Sequence, residues 1–295
     1  MAPAQRLLIL GGSGLVGSSV AKKAVARGWE VISLSRKGTP YKTPAGHVPA
    51  WANQVDWRSA SAFQPSSYSS LLPSCTAVVS TLGILLEGDS YKSEGQASPL
   101  GVLKGVVKGF TGDRGNPLGE REGEKRSYER MNRDAALTLF NAFRSSTPST
   151  SSSSTSPSPF IYISAEDIFR PFIPSRYIST KREAERLIEL GASASEKPGE
   201  GGRSIRPVFV RPSDLRPSAR PSVPSLRLST HLTPSPTAAP TDLPPALTSL
   251  AALLSIPPIH VDAVGEAVVR AVEREEVRGV LGVKEIRRML GFEEL

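Results

Sequence analysis

Apolar positions along the chain alternate between short clusters typical of buried strands and longer stretches with helical spacing. The first cluster, residues 7–10, is ended by glycines, and residues 14–27 then carry apolar side chains three or four apart until Gly28. A second apolar cluster follows at 30–35. Strand, helix and strand within about 30 residues predict a βαβ unit, which requires two parallel strands.

The same alternation continues to the end of the chain, although less regularly. It predicts further strands at 54–57, 76–83, 160–165 and 207–212, and helices at 100–110, 128–144, 177–190, 261–272 and 284–290. The pattern indicates an α/β fold: a Rossmann-type doubly wound parallel sheet with a small irregular C-terminal substrate lobe.

Two stretches interrupt this pattern within what we predict to be a single domain, residues 1–295. Residues 145–159 are almost entirely Ser, Thr and Pro, a composition that buries too little apolar surface to offset the entropy of ordering. We expect a disordered insertion there. Residues 213–257 are rich in Pro and Ser and are predicted to form the lobe that covers the substrate.

Composition changes the picture mainly through charge. The chain has 295 residues, a formal net charge of +8 and a pI near 9.7, which favours an anionic partner. The arginines between Arg203 and Arg227 lack interleaved aromatic residues for base stacking, so we expect no nucleic acid. They suit peripheral contact with an anionic membrane better.

The other composition signals exclude classes of site. The single cysteine, Cys75, excludes an internal disulfide, and its apolar neighbours predict a buried, unreactive side chain. His47, His231 and His260 show no metal-ligand spacing, so we predict no metal and a capping role for His260. The apolar stretches are too short for a membrane span, and the N-terminus leaves no room for a cleavable presequence.

A glycine-rich turn between the first strand and the first helix is the strongest functional signal. Glycines at the first, fourth and seventh positions of this kind of turn allow a sharp bend, a close approach to pyrophosphate and tight helix contact. The helix N-terminus supplies free N–H groups for the phosphates. We therefore predict a dinucleotide contact at Gly11, Gly12, Ser13, Gly14, Leu15, Val16 and Gly17.

The end of the second strand indicates which dinucleotide binds. An NAD site usually has a carboxylate there, whereas this chain has Ser35, Arg36 and Lys37. A guanidinium can hold a 2′-phosphate through two hydrogen bonds, so we favour NADP(H) and keep NAD(H) as the alternative. Asp56, placed after the third predicted strand, is a candidate adenine contact through its carboxylate or the neighbouring backbone.

A tyrosine and a lysine four residues apart are the candidate catalytic groups. Tyr177 and Lys181 share one face of a predicted helix, so the ammonium can favour the phenolate and allow proton transfer during hydride transfer. Ser164 ends the preceding strand and can hydrogen-bond a substrate carbonyl. The alternative is an ordinary exposed helix face beside Arg176, Arg182 and Glu185.

Taken together, the motifs GGSGLVG, SRKG, VVSTLG, ISAED, YISTK, FVRPSD and IHVDAVGEAV resemble those of atypical and extended short-chain dehydrogenases/reductases, of the NAD-dependent epimerase/dehydratase kind. The resemblance covers about Leu7 to Val272. It implies that Asn132 supports Lys181, with further cofactor contacts at Thr81, Leu82, Gly83, Arg211 and Pro212. Ser213-Asp214 departs from the family pattern, which often has glycine and an apolar residue there.

Within that family, LGILLEGDSYK and RYISTKREAE are similar to fungal mitochondrial members associated with coenzyme Q biosynthesis. The resemblance implies a place on the matrix side of the inner mitochondrial membrane, in or beside a coenzyme Q biosynthetic complex. The missing presequence departs from this, which leaves the cytoplasm as the alternative. An NADP(H)-dependent oxidoreductase is the first functional hypothesis, and a catalytically silent dinucleotide-binding scaffold or redox sensor is the second.

Overall fold

The computed structural model describes residues 5–84, 127–148, 156–167, 173–194, 203–213, 215–216 and 259–292. Within these ranges, seven strands form one parallel sheet in the order β3-β2-β1-β4-β5-β6-β9. A separate parallel pair joins β7 to β8. The strands are β1 Arg6–Leu10, β2 Glu30–Ser35, β3 Val55–Ser59, β4 Ala77–Ser80, β5 Ser158–Ile163, β6 Ile205–Val210, β7 Leu215–Arg216, β8 Ile259–His260 and β9 Gly279–Leu281.

Helices cover both faces of the sheet because alternate residues of each strand point to opposite sides. On one face, α1, α4 and α5 pack on residues such as Leu7, Ile9 and Val79. On the other face, α2 and α3 pack on Leu8, Leu10 and their neighbours. The helices are α1 Leu15–Val25, α2 Ala135–Ser145, α3 Ser175–Ala194, α4 Val261–Glu273 and α5 Val283–Met289, with a π-helical turn, Glu129–Asp134, leading into α2.

This architecture confirms the predicted doubly wound parallel sheet. The strand order reverses between β1 and β4, so the chain passes to opposite faces after these two neighbours. A crevice opens at their carboxyl ends, which is where such folds bind ligands. Gly11 and Thr81 meet there: the Gly11 amide donates to Leu34 and the Thr81 amide donates to Leu10.

The structure corrects several predicted bounds. Ser145 still belongs to α2, and Ser158 and Pro159 already belong to β5, so the predicted 145–159 insertion is too long at both ends. Residues 149–155 of it lie outside the described residues, as do the predicted helix at 100–110 and all but a few residues of the predicted 213–257 lobe. Strand β9, which extends the sheet beyond β6, is absent from the sequence prediction.

Candidate functional site

The glycine turn has the geometry that a phosphate-binding turn requires. Gly11 has φ +89°, a conformation that favours glycine, and a Cβ there would lie 2.7 Å from Thr81 Oγ1. A Cβ on Gly17 would lie 2.4 Å from the Gly11 carbonyl oxygen and 2.6 Å from Gly12 Cα. A side chain at Gly17 would therefore push the start of α1 away from β1, and one at Gly11 would collide with Thr81 after β4.

The N-terminus of α1 is open for an anion. Gly14 caps it with extended backbone, no side chain hydrogen-bonds to this cap, and no acidic residue occupies the first turn. The first-turn amides have no partners within a helix, and they carry the positive end of its dipole. Ser13, Gly14 and Leu15 are exposed at this point. The cradle fits the pyrophosphate of a dinucleotide.

The basic turn, residues 35–38, follows β2 at the same edge of the sheet. The Ser35 hydroxyl accepts the Gly38 amide at 3.1 Å, and the Arg36 carbonyl accepts the Ser59 hydroxyl at 2.9 Å. The side chains of Arg36 and Lys37 are exposed, as a site for a 2′-phosphate needs.

Asp56 does not lie where the sequence predicted. It is the second residue of β3, opposite Ile32 and three residues before the strand ends, so the prediction that it follows the strand is wrong. Its carboxylate accepts two hydrogen bonds from Arg58 Nε, at 2.8 and 3.0 Å. The strand runs to Ser59, two residues past the predicted bound of 57, so Asp56 lies inside it.

Lys181 and Asn132 meet beside Gly83. The Lys181 ammonium donates to the Ile163 carbonyl at 2.8 Å and lies 4.7 Å from the centre of the Tyr162 ring. A Cβ on Gly83 would lie 2.9 Å from Lys181 Nζ and 3.2 Å from Asn132 Oδ1, so a side chain there would displace the ends of these two side chains. The Asn132 amide also holds residue 84, since its Oδ1 accepts the Ile84 amide at 2.8 Å.

The Lys181 side chain is only 2% exposed, and burial dominates its titration. Desolvation lowers its pKa from 10.5 to about 7, while nearby Glu185 works weakly in the opposite direction. The fold therefore favours the neutral amine of Lys181 more strongly than water does.

Tyr177 behaves differently from the sequence prediction. Burial, together with Tyr128, raises the pKa of its phenol to about 12, so Lys181 does not favour the phenolate in this arrangement. The rings of Tyr128 and Tyr177 pack edge to face with centres 5.9 Å apart. Among the described residues, no hydrogen bond joins the Tyr177 phenol to Ser164 or Lys181. The predicted lowering of this pKa is wrong because i, i+4 spacing fixes a shared face but not atomic contact.

Ser164 belongs to a charged chain of contacts that the sequence did not indicate. Its hydroxyl accepts Arg182 Nη1 at 3.1 Å, and the same guanidinium donates to Glu185 at 2.8 Å. Glu185 in turn accepts both Arg211 Nε and Arg211 Nη2. Arg211 is therefore occupied by this carboxylate, and Pro212 beside it is buried. A cavity lined partly by Asp167, Ser179 and Arg182 lies at the start of α3, and Arg182 joins it to this chain of contacts.

Two of the arginines assigned to a membrane surface are buried instead. Arg203 donates to the Cys75 carbonyl at 2.6 Å and stacks on Phe143. Arg206 donates to the carbonyls of Ala271, Val272 and Val277, at the end of α4. Neither can meet a membrane, so the prediction is wrong for both; Arg216 is known only by its backbone, and Arg220 and Arg227 lie outside the described residues.

The remaining sequence predictions concern single residues. Cys75 is buried as predicted, and burial raises the pKa of its thiol to about 11. His260 caps α4, as predicted, because its Nδ1 accepts the Asp262 amide at 3.2 Å. The described residues contain no cluster of three metal-ligating side chains. None of their helices is long and apolar enough to cross a membrane.

Comparison with known proteins agrees with this geometry. The family model described as the NAD dependent epimerase/dehydratase family matches residues 7–70, which include the glycine turn and the basic turn. The chain is 36% identical to MIOREX complex component 2 of Saccharomyces cerevisiae over 210 residues, covering 70% of this chain and 71% of that protein. It is 27% identical to an uncharacterised chloroplastic protein of Arabidopsis thaliana, over 96% of this chain and 76% of that one.

Solved structures share the fold at low sequence identity. A short-chain dehydrogenase from Streptomyces avermitilis matches with a TM-score of 0.53 and 16% identity, covering 99% of this chain and 94% of that chain. BdcA, solved in complex with NADPH, matches with a TM-score of 0.55 and 14% identity, over 94% of this chain and 92% of that one. The chain therefore belongs to the same family as the yeast protein, its residues 7–70 match the NAD dependent epimerase/dehydratase family, and it has the nicotinamide-dinucleotide-binding fold that short-chain dehydrogenases share.

Proposed function

We propose that this protein binds NADP(H) and acts as an oxidoreductase on a carbonyl or quinone-precursor-like substrate, in support of mitochondrial coenzyme Q biosynthesis. The observation that carries the proposal is the open glycine turn at α1 with exposed Arg36 and Lys37 at the end of the next strand. The turn suits the pyrophosphate, and the two cations suit the extra phosphate that distinguishes NADP(H) from NAD(H).

The cofactor is further proposed to contact the ends of β4 and β6. Thr81, Leu82 and Gly83 follow β4 at the edge where Gly11 lies, and Thr81 Oγ1 donates to the Leu10 carbonyl at 2.9 Å. Arg211 and Pro212 follow β6 at the same edge. Because Glu185 already neutralises Arg211, we propose that Arg211 and Pro212 shape the crevice around the cofactor and do not bind a phosphate.

The chain's own groups support proton transfer in the reductive direction. The bound nicotinamide supplies or accepts a hydride. Tyr177 keeps its proton at neutral pH, since its pKa is about 12, and can donate it to a substrate oxygen. Ser164 accepts a hydrogen bond from Arg182, which leaves its own hydrogen free for that oxygen. Lys181 and Asn132 hold the floor of the crevice beside Gly83.

Binding and chemistry are tested separately. Titration calorimetry with NADPH and NADH measures binding by the wild type and by Gly14→Asp, which puts a carboxylate where the phosphates are proposed to lie. Tyr177→Phe is then tested for NADPH oxidation with a quinone probe. Lost turnover with unchanged NADPH affinity supports the proposed role of Tyr177, whereas unchanged turnover removes it. Binding of NADH alone would overturn the role of Arg36.

A catalytically silent, dinucleotide-bound scaffold or redox sensor is the second candidate. It is favoured by the absence, among the described residues, of a hydrogen bond from the Tyr177 phenol to Ser164 or Lys181; Ser164 instead accepts one from Arg182. Under this alternative, Gly14→Asp disrupts an assembly while Tyr177→Phe has no effect. The yeast relative is by name a component of a complex, which fits either candidate.

Mitochondrial location, on the matrix side of the inner membrane, and a coenzyme Q biosynthetic complex as partner are proposed from the sequence resemblance. Fractionation of cells expressing the tagged full chain tests the location, with a cytoplasmic signal as the contrary result. Coenzyme Q content after deletion tests the pathway. We also propose peripheral contact between an anionic membrane and the exposed basic residues, which do not include the buried Arg203 and Arg206. Liposome flotation at two salt concentrations tests this contact.

A further inference from the structure

Hydrogen bonds attach the basic turn to the end of the neighbouring strand, β3. Three hydrogen bonds hold the backbone of this four-residue turn. The Ser35 carbonyl accepts the Ala60 amide at 3.0 Å, the Ser35 hydroxyl accepts the Gly38 amide, and the Ser59 hydroxyl donates to the Arg36 carbonyl. Two of the three come from the end of β3. The position of Arg36 is therefore set by β3 as well as by β2.

Gly38 makes this attachment close. It has φ +62°, and a Cβ there would lie 2.6 Å from the Ser59 amide nitrogen and 2.9 Å from the Arg58 carbonyl carbon. These are backbone atoms, which cannot move aside as the end of a flexible side chain can. The turn consequently lies against β3 at a distance that only glycine permits.

Local charges leave the turn strongly cationic. Arg36 and Lys37 project outward and are exposed. Asp56 is the acidic residue of β3, and Arg58 binds it at 2.8 Å, so its charge is neutralised within the strand. An anion that reaches the turn meets two cations and an already paired carboxylate.

We infer that Ser59 and Gly38 are specificity-determining positioning residues, which hold Arg36 where it grips the 2′-phosphate of NADP(H). The inference rests on the proposed function and extends it from the cations to the strand that positions them. A turn whose backbone is fixed before binding loses less entropy when Arg36 binds, so affinity for the 2′-phosphate depends on the β3 attachment. Affinity for NADH, which lacks this phosphate, does not.

The test compares Kd values for NADPH and NADH, measured by calorimetry on the full chain. Ser59→Ala removes one hydrogen bond at an exposed position, and we expect it to lower the preference for NADPH about fivefold, with NADH affinity unchanged. Gly38→Ala is expected to lower the preference further. Thr43→Ala is the matched control, because Thr43 Oγ1 accepts the His47 amide at 3.1 Å in the same loop but does not contact the turn. It should leave both Kd values unchanged.

The outcomes distinguish failure of the proposed NADP(H) site from failure of the positioning role of Ser59 and Gly38. If the wild type binds neither nucleotide, or binds both equally, the proposed NADP(H) site fails and the inference fails with it. If Arg36→Ala lowers the preference for NADPH but Ser59→Ala and Gly38→Ala do not, the proposed function stands and the inference alone is overturned. An equal loss of both affinities in Ser59→Ala also overturns it, because that result indicates general damage.

Discussion

The buried Lys181 ammonium makes the stability of this protein depend on pH in a predictable direction. Its pKa is 10.5 in a solvated lysine and about 7 in the fold. Between these two values the unfolded chain binds a proton that the native chain does not, so the free energy of unfolding rises as pH rises through this window. Below about pH 7 both states are protonated, and the full desolvation cost is present.

The magnitude follows from the two pKa values. A difference from 10.5 to about 7 corresponds to roughly 5 kcal/mol, at about 1.4 kcal/mol for each tenfold change. The hydrogen bonds from Nζ to the carbonyls of Ile163 and Leu82 are already contained in the folded-state pKa and do not lower this figure. Between pH 7 and pH 10 we therefore expect a pH-dependent change of about 4 kcal/mol.

Comparison of Lys181→Met with the wild type isolates this contribution. Removing the ammonium also leaves carbonyls unpaired. That cost is the same at every pH, so it does not affect how the stability difference between variant and wild type changes with pH. Urea unfolding between pH 6 and pH 10 should show the variant gaining about 4 kcal/mol relative to the wild type at the acidic end. Lys42→Met, at an exposed loop position, is the control and should follow the wild type. A stability difference that stays constant across this pH range would refute the reasoning.

Three further predictions concern the glycine turn and the buried polar groups. Gly17→Ala brings Cβ to 2.4 Å from a backbone oxygen, so calorimetry should show lost NADPH binding and thermal unfolding a loss of about 1–3 kcal/mol. Gly28→Ala should also lose stability, because Gly28 has φ +74°, but it meets no neighbouring atom and should keep NADPH binding. Arg206→Met leaves buried carbonyls at the end of α4 without a donor, so urea unfolding should show that the free energy of unfolding falls by about 3 kcal/mol or more. Arg278→Met, at an exposed position, is the control and should change it little. Cys75, with a thiol pKa of about 11, should react with Ellman's reagent only as fast as the protein unfolds, and rapid native labelling would contradict its burial.

Local patterns were sufficient for the first part of the sheet and for the glycine turn. Apolar clusters and helical spacing report which residues face a core, and they predicted β1, α1 and β2 closely. The glycines of the turn could also be assigned from sequence, because their requirement is a backbone conformation within seven residues. Strand β9 was missed because three residues are too few to show a period.

The state of the candidate catalytic groups was decided only by the tertiary structure. Spacing placed Tyr177 and Lys181 on one helix, but burial of the phenol and the ammonium depends on β5 and on the ends of neighbouring strands. Arg182 reaches Ser164 for the same reason, across 18 residues of chain. Arg206 carries a charge that suggests a surface, yet it lies in the interior, where it binds the carbonyls that end α4. Charge and periodicity are properties of the chain, whereas desolvation and partner choice arise when distant segments meet.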